Sequence, residues 1–454
     1  MPRTKIMATY GPSVDDDRTL SKILAQVDVL RLNLSHGNKE NWLSSLDRIG
    51  RIAKKINKEV ALLADLPGPK IRTGKLPKDI GVVKGQKIIF SHLQQRDDGT
   101  IPLNFEVQKY AKKGALVSIG ENGPRMLVKE LKKGRMICSV VNPGIITSNK
   151  GVSISNLSSS LASPTKEDLR LAKFASNNGF DYLALSFVTE PRNIQRLRKS
   201  VGSLPVVAKI ERKTALLNID EIASEADAIM VARGDLAFDI EIERLPIAQH
   251  KIIEASRKAG KSVIVATQLL ASMVNYPTPT RAEVSDIATA VLEGADCLML
   301  SDETTIGKYP VDSVKILRGV AKNTEPSFKS TGTRETEDIS GSIAFAAASV
   351  ADNYDVRHIF VPTETGGTAR RLSSLRPNAE IIALSSSRKV RNSLRMNYGV
   401  TPAAIAEYRT TDRLLSHIMG IASKKGIGKY AVLLGKPRST GSTNMLFVSS
   451  GSSE

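Results

Sequence analysis

Short apolar runs recur along this chain, and polar side chains follow each run where it ends. Runs of this kind, rich in β-branched residues, are typical of strands buried on both faces of a parallel sheet. Most intervening segments place apolar residues at helical spacing, as residues 247–257 do. Strands that alternate with helices in this way predict a closed (β/α)₈ barrel. The predicted strands and their polar ends are residues 4–12, 27–36, 60–68, 182–187, 206–211, 228–232, 262–268 and 295–303.

The alternation is interrupted in two places. Residues 75–150 contain short β-like stretches separated by Lys-Gly and Asn-Gly turns, which predicts a small β-barrel or sandwich inserted between the third strand and the third helix. An insertion at the mouth of a barrel is placed to act as a lid that excludes water. The polar segment 324–333 is typical of a linker to a further α/β unit. The predicted domains are the first part of the barrel, the lid, the second part of the barrel and a C-terminal α/β regulatory domain, at residues 1–73, 74–151, 152–325 and 326–454.

Composition restricts the class of protein. The chain has 454 residues, of which 41% are hydrophobic, so it can bury a large core in two or three domains. Its cysteines, Cys138 and Cys297, lie far apart and form neither a zinc motif nor a disulfide framework, which favours a reducing cytoplasm. The first residues lack the apolar core of a secretory signal, and no apolar run reaches membrane-spanning length. We therefore expect a cytoplasmic protein with no membrane partner.

The net charge of +19 raises the question of nucleic-acid binding. The Lys and Arg residues are distributed along the chain in pairs, and no long basic tract occurs. Aromatic residues make up 4% of the chain, with a single Trp, so few side chains are available to stack on bases. We expect no nucleic-acid partner and attribute the charge in part to attraction of small anionic substrates.

The most informative polar residues are Lys209, Glu211 and Asp235. Lys209 and Glu211 end one predicted strand and Asp235 follows the next, which places all three at the barrel mouth. Carboxylates on adjacent strands can share Mg²⁺, or Mn²⁺ in its place. Lys209 offers a positive charge to a phosphoryl group during its transfer. The alternative is that these residues form only a salt bridge at the barrel rim.

A series of motifs lies at these strand ends. In chain order the motifs are residues 4–6 with 11–13, 31–37, 68–74, 209–211, 230–236, 266–268, 279–283 and 296–301. With them the chain resembles the pyruvate kinase family over nearly its whole length. The resemblance implies a TIM barrel with an inserted lid and a C-terminal regulatory domain. It also implies transfer of phosphate from phosphoenolpyruvate to ADP, which gives pyruvate and ATP in the last step of glycolysis.

The resemblance assigns roles around the phosphoryl group and the metal. Glu211 and Asp235 would hold Mg²⁺, and Lys209 would contact the transferring phosphoryl group. Arg31 would contact the phosphate as it crosses; the alternative is a rim arginine paired to a neighbouring acid.

Further roles concern the substrate carboxylate and the proton. Gly234 and Asp235 are expected to open a helix whose N–H groups bind the substrate carboxylate, together with the Thr267 hydroxyl. Thr267 and Ser301 would take part in proton delivery to the enol carbon. Ala271 stands where the family commonly has a Glu, so a proton relay through that acid is excluded.

On the nucleotide side, the resemblance implies that ADP is contacted by residues of the second and third strand ends and of the lid hinge. These residues are Asn33, Ser35, His36, Arg72 and Lys150.

One departure from the family concerns potassium. Many members have a Glu at the position of Lys70, and that Glu accompanies a potassium ion lodged among groups that match Asn33, Ser35, Asp65 and the carbonyl of Leu66. A tethered ammonium carries the charge that K⁺ supplies, so we predict activity without potassium. The alternative is a lysine that faces solvent.

The C-terminal unit is similar to the regulatory domain of the family. A loop of hydroxyls and glycines that precedes a predicted helix forms a cradle for a phosphorylated effector, with a plain capped turn as the alternative. The cradle residues are Thr363, Thr365, Gly366, Gly367 and Thr368, and the residues expected to close over them are Lys436, Arg438, Ser439 and Thr440. Family members usually form homotetramers, and we expect one here.

Two other functions remain open at this point. A Mg²⁺-dependent barrel lyase or aldolase that acts on pyruvate or phosphoenolpyruvate shares the paired carboxylates, but it requires neither the lid nor a nucleotide side. An RNA-binding protein that has lost its activity is the second, and the intact Lys209, Glu211 and Asp235 argue against it.

Overall fold

The structure is a computed structural model that describes residues 2–92, 99–120, 123–132, 134–155, 163–328, 338–408, 410–435 and 443–449. In chain order its strands are β1 Lys5–Thr9, β2 Val29–Asn33, β3 Ala61–Asp65, β4 Ile80–Val82, β5 Lys87–His92, β6 Ile101–Leu103, β7 Leu116–Ile119, β8 Arg125–Lys132, β9 Arg135–Asn142, β10 Gly144–Ile146, β11 Val152–Ile154, β12 Tyr182–Leu185, β13 Val206–Ile210, β14 Ala228–Ala232, β15 Ser262–Ala266, β16 Cys297–Met299, β17 His358–Pro362, β18 Glu380–Ser385, β19 Val400–Ala404, β20 Tyr430–Leu434 and β21 Met445–Ser449.

The helices fill the intervals that the helical spacing predicted. They are α1 Asp17–Leu24, α2 Lys39–Lys55, α3 Lys166–Asn177, α4 Pro191–Val201, α5 Lys213–Leu217, α6 Ile219–Glu225, α7 Arg233–Leu236, α8 Leu245–Lys258, α9 Arg281–Glu293, α10 Asp302–Thr305, α11 Pro310–Thr324, α12 Ile339–Asn353, α13 Gly367–Ser374, α14 Arg388–Ser393 and α15 Thr411–Lys424. No helix in the described part of the chain is long and apolar enough to cross a membrane.

The barrel closes as the sequence predicts. Its strands are all parallel and follow the order β1-β16-β15-β14-β13-β12-β3-β2, with β2 pairing back to β1. Each of the eight predicted runs contributes one strand. The cause is the continuous apolar composition of the runs, which leaves β14 and β15 buried at every position.

Local signals position the barrel helices. At the start of α9, the Thr280 hydroxyl accepts the N–H of Glu283 while the Glu283 carboxylate accepts the N–H of Thr280, which is a reciprocal capping box. The helix ends at Glu293 and is followed by Gly294, whose φ of 97° suits a residue without a side chain. The same type of capping box, between Thr165 and Asp168, starts α3.

The inserted segment consists mainly of β-strands, as expected, with a short 3-10 helix at Val107–Lys109. Its strands form a six-stranded sheet in the order β11-β7-β8-β9-β5-β6 and a two-stranded ribbon of β10 and β4. The expected boundary after residue 151 falls just before β11, which pairs with β7 of the inserted sheet, so this sheet extends to Ile154. The cause is local: β11 has only three residues, and a run that short carries no distinguishing pattern.

The C-terminal unit has a five-stranded sheet in the order β19-β18-β17-β20-β21, with β21 antiparallel at one edge. It packs against the amino-terminal ends of the barrel strands, opposite to the mouth. Two buried bonds fix this contact: the Tyr182 hydroxyl donates to the carbonyl of Asn392, and the Asn397 side chain donates to the Ser262 hydroxyl. The predicted linker at 324–333 lies partly outside the described residues.

Candidate active site

The carboxyl ends of the barrel strands surround one small cavity of about 80 Å³. It collects side chains from loops and strands that lie far apart in sequence, because parallel strands of a barrel deliver their carboxyl ends to one face. Its polar lining consists of Arg31, Asn33, Ser35, Asp65, Lys70, Ser186, Lys209, Glu211, Asp235, Thr267 and Ser301. Most of the predicted site residues are therefore in one place.

Lys209 occupies the centre of this cluster. Its ammonium nitrogen is 2.9 Å from Glu211 Oε1 and 3.2 Å from Asp65 Oδ1, and it donates to the Ser186 hydroxyl at 2.8 Å. Burial alone lowers the pKa of Lys209, but the two carboxylates outweigh it and hold that pKa above its ordinary value. The predicted rim salt bridge does form, and it holds a charged ammonium at the cavity wall.

Asp65 connects the two cations of the site. Arg31 donates from Nε to Asp65 Oδ2 at 2.8 Å and from Nη1 to the Thr9 hydroxyl at 3.0 Å. Burial alone raises the pKa of Asp65, but Lys209 and Arg31 hold it below its ordinary value. Arg31 is thus paired to a neighbouring acid, as the alternative reading expected, and it also lines the cavity.

Glu211 and Asp235 are the candidate metal ligands. The second oxygen of Glu211 accepts the backbone N–H of Phe187 at 2.7 Å, which fixes the carboxylate. Burial, together with the negative charge of Asp235, raises the pKa of Glu211, although Lys209 opposes this. Among the described residues, no group of three or more His, Cys, Asp or Glu side chains converges on one point. Two carboxylates are still a donor set that fits Mg²⁺, which commonly takes one or two protein carboxylates and completes its shell with substrate and water.

Thr267 lies at the carboxyl end of β15 with a backbone φ of 69°. A positive φ in a threonine costs on the order of 1–3 kcal/mol and concentrates at functional sites. The Thr267 hydroxyl accepts the N–H of Gly234 at 2.8 Å. This N–H, which was expected to bind the substrate carboxylate, is therefore hydrogen-bonded within the protein. The helix expected there, α7, is a single turn. Arg233 braces it by donating to the carbonyl of Thr267 and to both oxygens of Asp286.

The expected nucleotide residues divide into two groups. Asn33 and Ser35 line the cavity, whereas His36, Arg72 and Lys150 lie outside its lining. Arg72 donates to the carbonyl of Asn149, and its backbone bridges to Gly151, which ties the barrel to the lid hinge. Burial, followed by the charges of Arg72, Lys70 and Arg31, lowers the pKa of His36, so His36 faces this basic group as a neutral imidazole.

Lys70 lines the cavity together with the residues of the predicted monovalent-cation pocket, which are Asn33, Ser35, Asp65 and Leu66. Its backbone is held by the Asn104 side chain, which donates to the carbonyl of Lys70 at 3.1 Å. Gly68, two residues earlier, has a φ of 65° and packs so closely that a Cβ there would lie 2.7 Å from the Phe187 ring. The close packing fixes the loop that carries Lys70.

In the C-terminal domain, the predicted cradle is a loop between β17 and α13. The Thr363 hydroxyl accepts the N–H of Gly366, which has a φ of 85°, and the Thr368 hydroxyl is 2.6 Å from that of Thr443. Thr365 and Gly367 are exposed. The residues expected to close over the loop, Lys436, Arg438, Ser439 and Thr440, lie outside the described residues.

Comparison with known proteins agrees with this arrangement. Residues 1–314 match the family model "Pyruvate kinase, barrel domain", and residues 341–449 match "Pyruvate kinase, alpha/beta domain". The chain belongs to the pyruvate kinase family. Members of the pyruvate kinase family transfer phosphate from phosphoenolpyruvate to ADP, giving pyruvate and ATP, and are generally Mg²⁺-dependent; the chain is a phosphotransferase of this type.

Individual relatives cover nearly the whole chain. A pyruvate kinase of Thermococcus litoralis is 36% identical over 96% of this chain and 95% of its own length. One of Methanocaldococcus jannaschii is 34% identical over 99% of both chains. A solved pyruvate kinase of Cryptosporidium parvum superposes with a TM-score of 0.91 at 29% identity, over 98% of this chain and 96% of its own. The predicted TIM barrel with its C-terminal α/β domain is thereby confirmed.

Some residues of the site had no role in the sequence analysis. Ser186 donates to the carbonyl of Leu66 while it accepts from Lys209, and Thr9 supports Arg31. Asp65 was assigned only to the cation pocket, yet it binds both Arg31 and Lys209. Their position in the sequence could have identified them, because each of these polar residues ends an apolar run or directly follows one, as the predicted site residues do.

Proposed function

We propose that the cavity at the barrel mouth is where phosphoenolpyruvate and ADP react, with Lys209 as the cation on the transferring phosphoryl group. The observation that carries this is the position of Lys209, whose ammonium lies against two carboxylates at the wall of a cavity that Arg31 also lines. Two fixed cations at one wall can stabilise the charge of a phosphoryl group during transfer. The ion pairs hold Lys209 in place before substrate arrives, so little reorganisation is needed.

Glu211 and Asp235 are the proposed ligands of Mg²⁺. When bound, the metal would neutralise substrate charge and polarise the oxygens that it contacts. Residues of the chain orient the Glu211 carboxylate and balance its charge. The Phe187 N–H orients the Glu211 carboxylate, and Lys209 balances its charge. Because Lys209 is already paired to Glu211, substrate and metal would enter a site that is close to electrical balance.

The proton that converts the enol to pyruvate is proposed to arrive from the side of Thr267 and Ser301. Both line the cavity, at the ends of the adjacent strands β15 and β16. The Ser301 backbone is held by Glu303, whose carboxylate accepts the N–H groups of Ser301 and Leu270. Ala271 has no titratable group, so the route passes through hydroxyls and water.

We also propose that the enzyme needs no potassium, because Lys70 supplies the charge. Lys70 lines the cavity beside Asn33, Ser35 and Asp65, and its charge is among those that lower the pKa of His36. The test compares turnover in buffer containing only tetramethylammonium with turnover after addition of KCl. We expect the two rates to agree within about twofold, whereas a rate that collapses without K⁺ and returns with it would refute the role of Lys70.

The remaining expectations extend this proposal. ADP would lie between the cavity and the lid hinge, against His36, Arg72 and Lys150. A phosphorylated effector would bind the loop that contains Thr363 and Thr368. The enzyme would act in the cytoplasm as a homotetramer, which gel filtration with light scattering would measure.

One coupled assay tests the reaction itself. Pyruvate formation from phosphoenolpyruvate should require ADP and Mg²⁺ together and should produce one ATP for each pyruvate. A lyase or aldolase would release pyruvate from its substrate without ADP. Pyruvate formed at the same rate in the absence of ADP would therefore contradict the proposal, and no turnover with both substrates would favour an inactive protein.

A further inference from the structure

Asp168 is a buried carboxylate that the proposed mechanism does not use. It lies in the first turn of α3, its side chain is fully shielded from solvent, and no Lys, Arg or His of the described residues forms an ion pair with it. A buried carboxylate without a cation needs N–H or O–H donors to offset the loss of water. The groups that donate to Asp168 therefore indicate its role.

The two oxygens of Asp168 have different partners. Oδ2 accepts the backbone N–H of Thr165 at 2.8 Å and its hydroxyl at 2.7 Å, which forms part of the capping box of α3. Oδ1 takes no part in this cap and accepts the N–H of Gly68 at 2.9 Å, across 100 residues of sequence. The cap uses one oxygen only, so the other oxygen is available to hold the loop that contains Gly68.

This loop follows β3 and carries Lys70. The residues on either side of Gly68 are prolines, which have no N–H, so Gly68 has the only backbone donor in residues 67–69. The Gly68 carbonyl in turn accepts the N–H of Lys70 at 2.8 Å. The residue that Asp168 holds is therefore bonded directly to Lys70, and the position of the Lys70 backbone depends on that of Gly68.

The bond to Asp168 is the attachment in the middle of the loop. At one end, the Leu66 carbonyl accepts the Ser186 hydroxyl at 2.7 Å. At the other end, a side chain of the lid donates to the carbonyl of Lys70. Because the lid is a separate domain, the middle of the loop is tied to the barrel by the bond to Asp168, together with the close packing of Gly68 against Ser186.

We infer that Asp168 is a positioning residue for Lys70, because it holds Gly68 and thereby the side chain that lines the catalytic cavity. The inference rests on the proposed function, in which the charge of Lys70 replaces potassium. A charge is most effective when its place is fixed before substrate arrives, so a group that orients it affects turnover without touching substrate. A carboxylate suits this role because its bond to an N–H is charge-assisted, and the amino-terminal end of α3 stabilises its negative charge.

Hydrogen exchange tests this attachment directly. In Asp168→Ala the Gly68 N–H loses its acceptor, so its exchange should become about tenfold faster, as measured by mass spectrometry of overlapping peptides that span 66–70. Thr165→Ala is the matched control, because it removes a hydroxyl from the same carboxylate and weakens the same cap but keeps the acceptor of Gly68. We expect a change of less than about twofold in the control. An unchanged exchange rate of Gly68 in Asp168→Ala would overturn the inference.

A second variant covers the case in which Asp168→Ala does not fold. Asp168→Asn keeps the size of the side chain but replaces two charged oxygens by one neutral oxygen. The bond to Gly68 is then either weaker or lost, so exchange of the Gly68 N–H should be about threefold faster or more. Exchange at the native rate in folded Asp168→Asn protein would show that the carboxylate does not hold the loop.

A double-mutant cycle tests whether Asp168 acts through Lys70. Turnover is measured without potassium for Asp168→Ala, for Lys70→Met and for the double variant, with thermal unfolding as the check of the fold. Asp168→Ala alone should lower kcat about tenfold. In the Lys70→Met background it should lower kcat by less than about twofold further, because the group that it positions is already absent. Losses that multiply in the double variant would mean that Asp168 acts independently of Lys70 and would overturn the inference.

Potassium separates this inference from the proposed function. KCl should raise the turnover of Asp168→Ala by about threefold or more, since K⁺ can take the place that the displaced ammonium leaves, and Thr165→Ala should not respond. No response to KCl in Asp168→Ala would mean that the charge was never displaced, and the positioning role would be wrong. A native rate for Lys70→Met without K⁺ would count against the proposed function of Lys70, whereas the exchange of Gly68 would still decide whether Asp168 holds the loop.

Discussion

Replacement of Lys209 by Met is the most direct test of the catalytic cavity. The substitution keeps most of the volume of the side chain and removes its charge. In the present structure that charge is 2.9 Å from Glu211 Oε1 and 3.2 Å from Asp65 Oδ1, and the side chain is only 12% exposed. The variant would therefore lose the proposed contact to the phosphoryl group. It would leave Asp65 paired to Arg31 and would remove the ion-pair partner of Glu211.

The expected loss follows from the electrostatics of the site. Two unit charges about 4 Å apart interact by about 4 kcal/mol at an effective dielectric constant of about 20. If this interaction is realised mainly in the transition state, its loss lowers kcat by roughly 10³. Affinity for Mg²⁺ should not fall, because Lys209 competes electrostatically with the metal for Glu211. The pKa of Lys209 lies above its ordinary value, so in the native enzyme the group stays charged throughout the neutral and mildly alkaline range.

The assay couples pyruvate formation to lactate dehydrogenase at saturating phosphoenolpyruvate and ADP, with Mg²⁺ titrated. Lys213→Met is the matched control, because Lys213 is an exposed lysine at the start of α5, four residues further along the chain. The control should retain full activity. Thermal unfolding of both variants shows whether the fold is preserved. A loss of less than tenfold in a folded Lys209→Met protein, or a Mg²⁺ requirement that rises steeply, would mean that Lys209 does not act on the phosphoryl group.

Three further substitutions probe neighbouring features. Lys70→Glu should make the enzyme potassium-dependent, with a rate in K⁺-free buffer at least about tenfold below that in KCl. The reason is that a carboxylate would replace the ammonium at the cavity, and a bound cation would be needed to balance its negative charge. Asp65→Asn should cost about 3–5 kcal/mol of stability at pH 7, since it leaves the buried Arg31 without its carboxylate and leaves Lys209 paired to Glu211 alone. The pKa of Asp65 is lower in the folded protein than its value of about 3.9 in the unfolded chain. The stability that ionised Asp65 contributes is therefore fully present above about pH 3.9 and is lost as the pH falls through the pKa of the folded state. Gly68→Ala should cost about 1–2 kcal/mol for the positive φ and lower activity, since its Cβ would press on Ser186, which holds Lys209.

Each of these has a clear contrary result. A Lys70→Glu enzyme that works equally well without K⁺ would exclude Lys70 as the substitute cation, with Lys75→Glu as the exposed-lysine control. Denaturation midpoints that separate native and Asp65→Asn protein equally at pH 3 and pH 7 would show that Asp65 does not owe its contribution to ionisation. Unchanged activity in Gly68→Ala would show that the loop can yield without disturbing Ser186.

The sequence alone was sufficient to predict the barrel, because strand formation and burial are encoded locally. A run such as 228–232 is apolar at every position, so a strand formed by it is stable only when both of its faces are buried. Eight such strands separated by amphipathic helices leave few arrangements other than a closed parallel barrel. The position of Lys209 and Glu211 at a strand end likewise implied the barrel mouth. The sequence did not predict that the inserted sheet ends with β11, because a strand of three residues is too short to show a pattern of apolar and polar positions.

Other features were decided only by the tertiary structure. Asp65 binds Arg31 and Lys209, which are 34 and 144 residues away in sequence, and nothing in either local pattern selects that acid over its neighbours. Thr267 adopts a left-handed backbone because the surrounding contacts with Gly234 and Arg233 outweigh its own preference.

A cavity between the barrel and the C-terminal domain illustrates the same point at a larger scale. Lys261 directly precedes β15 of the barrel and Arg388 begins α14 of the C-terminal domain, so their charges line one cavity only after the two domains pack together. Local sequence determines which segments become strands and helices, because burial of a segment depends on its own pattern of apolar residues. It does not determine which polar groups meet, because that depends on closure of the barrel and docking of the domains, where separations of hundreds of residues are reduced to a few ångströms.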